Sequence, residues 1–96
     1  MRTRPHTLND KTTWTKVAED AANVLIQLRS TITIQVWCGP NADTPAESDP
    51  GIVLWEDGRQ EFGAANLEAG TSFWVKPSED GEAFVVVMED GIDLEA

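Results

Sequence analysis

This 96-residue chain has only one cysteine (Cys38) and one histidine (His6). A lone cysteine excludes an intrachain disulfide and argues against a structural zinc site. Nothing in cysteine usage points to an oxidising compartment. A Ser–His–Asp or Cys–His arrangement would have to recruit His6 from a polar N-terminal stretch, which an unanchored arm does poorly. The sequence holds no Gly-rich phosphate loop, no paired metal histidines and no dinucleotide fingerprint. No apolar run has the length of a membrane span. The residues after Arg2 and Arg4 are not hydrophobic, so they are not expected to be a signal peptide. The expected site of synthesis is the cytoplasm, with use there or assembly there into something larger.

Positive charge is also scarce, with seven Lys and Arg against seventeen Asp and Glu, a net −10. Its distribution is uneven. Residues 1–30 carry five cations against three acids, whereas residues 31–96 carry two against fourteen. An acidic body repels nucleic acid and anionic membrane, which argues against either as the main ligand. The asymmetry reads either as a soluble acidic surface or as a basic arm that docks on an acidic neighbour.

What the chain does have is a ladder of short alternating segments. Val24 to Leu28, Ile32 to Val36, Ile52 to Trp55, Phe73 to Val75 and Phe84 to Val87 are separated by Gly, Pro, Asp and Ser clusters. The period of two predicts an all-β domain, an antiparallel β-sandwich or small barrel of about seven strands. Residues 1–12 are polar, contain Pro5 and show no periodicity, so they read as an extended arm, disordered unless a partner orders it. Residues 13–96 read as one β domain. Trp14 to Val17 begins it, and a turn at Glu19-Asp20 leads into a strand from Asn23. A short helix over 16–22 is the competing reading. Ser30-Thr31 is a weak turn signal, whereas Asp57-Gly58 is the strongest hairpin signal, with Arg59 to Phe62 as the return strand. Residues 64–70 read as a bend or single helical turn. The Pro-rich stretch 39–51 is long for a structureless connection and reads as a working surface loop.

Cys38 shares the apolar face of Ile32, Ile34 and Val36, so it reads as a buried small hydrophobe. Trp37 and Trp55 lie opposite the aliphatic faces of their strands. They can pack under the long loop, or they can be exposed to stack on sugars or fill a partner's pocket. Asp43, Glu47 and Asp49 in the loop, and Glu89, Asp90 and Asp93 near the C-terminus, lack EF-hand spacing and read as solvated acids. A chain this short buries only about two-thirds of its unfolded surface, so assembly with copies or a larger partner is a natural supplement.

Several elements in order carry a resemblance. Trp14-Thr15-Lys16-Val17 leads into Asn23-Val24-Leu25-Ile26-Gln27-Leu28, then a strand ending near Trp37 and a loop around Ala42-Asp43-Thr44-Pro45. Gly51-Ile52-Val53-Leu54 follows, then Leu67-Glu68-Ala69-Gly70-Thr71-Ser72-Phe73-Trp74-Val75 and the Val-rich segment Ala83 to Met88. Over roughly residues 13–90 this resembles a family of small tailed-bacteriophage virion proteins. The resemblance implies a non-enzymatic structural protein of the virion, with no cofactor. It would be a capsid decoration, or cement, module that binds and stabilises the assembled head, or else a tail- or fibre-associated module for host-surface carbohydrate. It further implies a homotrimer whose partner is the major capsid protein or another virion protein. The expected docking residues are Arg2, Arg4 and Pro5 in the arm and Trp14 where arm meets body, with Trp37 and Trp55 as subunit contacts.

Overall fold

The computed structural model describes residues 2–91. Eight strands occur there: β1 Arg2–Leu8, β2 Thr15–Glu19, β3 Ala21–Leu28, β4 Ile34–Pro40, β5 Ile52–Leu54, β6 Glu61–Ala64, β7 Thr71–Pro77 and β8 Ala83–Gly91. They form two four-stranded antiparallel sheets, one ordered β1-β8-β3-β6 and the other β2-β7-β4-β5. The order has a simple origin. First pairs with last, second with seventh, third with sixth and fourth with fifth, as in one long hairpin. Rolling that hairpin up adds the β8·β3 and β7·β4 pairings, and the result is jelly-roll topology. The all-β sandwich expected from the alternating segments is what forms, with eight strands.

The core lies between the sheets. Val24, Ile26 and Leu28 of β3 and Val85 and Val87 of β8 face Ile34 and Val36 of β4, Leu54 of β5 and Phe73 and Val75 of β7. Removing each large side chain from water contributes about 1.5–3 kcal/mol. In β2 a bulge between Lys16 and Ala18 turns both Val17 and Ala18 inward.

Several expectations need correction. Residues 2–8 are extended, but they are not a free arm: they are hydrogen-bonded to β8 from Arg2↔Glu89 to Leu8↔Ala83. The strand escaped detection because its inward positions are Arg2, Arg4 and His6, with only Leu8 buried. Residues 15–19 and 21–28 are strands, so the competing helix does not form. The Glu19-Asp20 turn is present, with Asp20 at φ 56. The Asp57-Gly58 turn is closed by Trp55 N–H to Arg59 O at 2.8 Å, yet its two strands enter different sheets and do not pair as a hairpin. Residues 64–70 form the bend, one of the two readings there, with no helical turn. Alternation reveals a strand's two faces but not which sheet it joins.

Candidate interaction surfaces

The two outer faces of the sandwich are treated differently. On the β2-β7-β4-β5 sheet, Trp37 pairs across from Trp74, with ring centroids 5.5 Å apart at 64°. Lys16, also opposite Trp74, lays its ammonium 5.4 Å from the indole centroid. Loop 41–51 then folds over this face. Trp14 Nε1 donates to Ala46 O at 2.8 Å, Lys16 Nζ to Asn41 O at 3.0 Å, Lys76 Nζ to Glu47 O, and Gly51 N–H to Gln35 Oε1 at 3.1 Å. Lys76 is only 6% exposed and sits 4.9 Å over the Trp14 ring. Its ammonium is held by a carbonyl and an aromatic face, a desolvated cation–π arrangement. Gly39 belongs to the same layer, because a side chain there would collide with the Trp37 ring.

The loop is anchored at its base by Asp20 Oδ1. It accepts from Asn41 Nδ2 at 3.0 Å and Gly70 N–H at 2.8 Å, which holds the Asp20 carboxyl below its usual range. Asp49 caps Ala46 N–H at 2.8 Å, so this acid serves the loop's own backbone. Among the described residues no group of three or more His, Cys, Asp or Glu is placed to hold a metal ion. Asp93 lies outside them.

The outer face of the β1-β8-β3-β6 sheet has an apolar stripe at its centre. Successive cross-strand rows read Thr7-Phe84, then Pro5-Val86-Gln27-Glu61, then Thr3-Met88-Leu25-Gly63. Leu25 and Phe84 are 36% and 38% exposed, and Val86 and Met88 are half-buried. A shallow hollow of about 140 Å³ lies beside Leu25 and Met88. A second apolar patch follows the edge strand β5, where Ile52 and Val53 are exposed.

At the rim, β1 brings together the charged and titratable groups of its inward face. Arg4 Nη2 donates to Glu89 Oε2, and Glu89 is 4% exposed. His6 is half-buried with its Nε2 in contact with no hydrogen-bond partner. Burial and the neighbouring Arg4 charge lower its pKa from 6.5, and Glu89 opposes them.

The expected docking residues therefore separate. Arg2 and Pro5 are exposed, and Pro5 joins the apolar stripe. Arg4 is engaged within the chain by Glu89. Trp14, 7% exposed, holds the loop and cannot face a neighbour. Trp37 is half-buried on Trp74. Trp55 is 43% exposed on the 55–59 turn, its indole resting on Gly58, where any side chain would displace it. Cys38 is exposed, contrary to expectation, although it shares a face of β4 with Ile34 and Val36; partial burial still raises its thiol pKa. Sequence reasoning missed Lys76, whose neighbours Trp74 and Pro77 gave no hint of a buried ammonium.

The same 55–59 turn forms one wall of a polar groove of about 520 Å³. Glu56 and Gln60 line it together with Gln27, Leu28, Arg29, Ser30 and Thr31, and Leu28 N–H donates to Gln60 O at 2.8 Å. Gln27 Nε2 donates to Glu61 Oε2 at 2.8 Å and Arg29 Nη1 donates to Gln27 Oε1 at 3.3 Å, so these side chains brace one another. No family model, curated protein or solved structure matches this chain.

Proposed function

We propose that this chain is a non-enzymatic structural protein of a bacteriophage particle, a decoration module that binds the assembled head and stabilises it. The observation that carries this reading is the unequal treatment of the two outer faces. One sheet is roofed by the chain's own loop, whereas the other presents Leu25, Phe84, Val86 and Met88 to its surroundings. A face of this kind suits docking on a larger body. The jelly roll, an architecture used in viral capsids, supports the reading only by analogy of fold. In this reading the apolar sheet meets the major capsid protein, and exposed Ile52 and Val53 at the β5 edge join three copies into a trimer. Binding only the assembled shell stabilises it by mass action.

The test is binding to undecorated heads. Leu25→Glu and Phe84→Glu change exposed positions, so both variants are expected to keep the far-ultraviolet circular dichroism spectrum of the parent while binding heads at least about tenfold more weakly, a loss of about 1.4 kcal/mol. Parent-like head binding by both variants would remove this face from the interface and the proposal with it.

A further inference from the structure

We infer that the polar groove between segments 27–31 and 55–60 is a binding site for a short neutral oligosaccharide. This inference is independent of the virion reading. Concave sites for small ligands usually enclose about 300–1,000 Å³, and the groove's 520 Å³ falls in that range. Its walls present the groups that suit a polyol: the amides of Gln27 and Gln60, the guanidinium of Arg29, the carboxylate of Glu56 and the hydroxyls of Ser30 and Thr31. Amide, guanidinium and carboxylate groups offer adjacent hydrogen-bonding atoms in one plane, which matches neighbouring hydroxyls on a sugar ring.

Preorganisation is visible. The Arg29–Gln27–Glu61 chain fixes two of the wall side chains before any ligand arrives, which reduces the ordering cost of binding. Trp55 stands on the turn that supplies Glu56. Its indole rests on Gly58 and remains 43% exposed, next in the chain to the lining residue Glu56. An aromatic face beside convergent polar groups suits the apolar C–H side of a pyranose.

Charge selects among ligands. Arg29 and Glu56 contribute opposite signs to the groove, and the chain as a whole is at −10. Polyanions such as nucleic acid or sulfated glycans are therefore repelled. Hydrophobic peptide is disfavoured because the named lining groups are almost all polar.

The probes are maltotriose, cellotriose, mannotriose and the N-acetylglucosamine trimer, each titrated to about 10 mM, a range that reports the millimolar affinities typical of weak sites. Amide shifts are followed by two-dimensional NMR and Trp fluorescence on the full chain. At least one sugar is expected to shift amides within 27–31 and 55–60. Trp55→Ala, Arg29→Ala and Gln60→Ala, all at exposed positions, are each expected to weaken that binding about tenfold, or 1.4 kcal/mol. Leu25→Glu is expected to leave it unchanged, which separates this site from the docking face. No shift with any of the four sugars, or shifts mapping elsewhere, overturns the inference. So does parent-like binding by all three groove variants.

Discussion

His6 couples the rim of the sandwich to pH. Its Nε2 is buried without a hydrogen-bond partner beside Arg4 and Glu89, and its pKa lies below 6.5. The unfolded chain therefore binds this proton more readily than the folded one, so stability is fully present above about pH 6.5 and declines as pH falls toward the folded value. Thermal melts followed by circular dichroism should show a falling Tm on acidification through that window, and His6→Gln should flatten the step. Asp10 titrates later. The hydroxyl and N–H of Thr12 and the hydroxyl of Thr13 hold it below 3.8, as Asn41 and Gly70 hold Asp20. Their stabilisation is present above 3.8 and is lost as pH falls through the lowered values. Cys38, exposed but with a raised pKa, carries little thiolate at neutral pH. Its alkylation by iodoacetamide should be slower than that of an unstructured cysteine peptide and should accelerate with alkali. At this scale the sequence was half legible. Alternation placed Cys38 on the face it shares with Ile34 and Val36, but a period of two does not report how deeply each position on that face is covered.

Strand β1 and loop 41–51 are the two elements that sequence patterning described least well. An edge strand whose inward residues are Arg2, Arg4 and His6 shows no apolar period, so it looked like an arm. Removing residues 1–12 would uncover the β8 edge and leave Glu89 without Arg4, so this truncation should lower stability rather than act on docking alone. Arg4→Ala isolates the ionic part. Leaving the buried Glu89 carboxylate without its partner should cost about 1–3 kcal/mol, and Glu89→Gln in the same chain should restore much of it; denaturant titrations of the two variants measure both effects. The loop was legible as a feature, through its length and prolines. Its roofing function was not, because the contacts come from Trp14, Lys16 and Lys76 on distant strands. Lys76→Ala removes both the bond to Glu47 O and the cation over Trp14. Amide hydrogen exchange should accelerate within 41–51 while β3 and β8 stay protected.

For the whole molecule, fold class was readable and connectivity was not. Turn signals at Ser30-Thr31 and Asp57-Gly58 marked places where the chain reverses, yet both reversals carry it from one sheet to the other. Only a view of both sheets reveals the pairing of first strand with last. The division of labour between the outer faces emerges at the same scale. Charging the β5 edge with Val53→Glu should shift any trimer toward monomer in light scattering coupled to size exclusion, while Leu25→Glu should weaken head binding without that shift.

The pairing of β1 with β8, and of β3 with β8, also sets a schedule for the newborn chain. The centre of the first sheet cannot form until β8 has been synthesised, since β8 lies between β1 and β3. At about 5–20 residues per second, the 60-odd residues separating β3 from the end of β8 take roughly 3–12 s to emerge. Throughout that interval Val24, Ile26 and Leu28 have no strand from β8 beside them. The first sheet is thus completed only after β8 has emerged, and until then the nascent segment is a natural client for ribosome-associated chaperones.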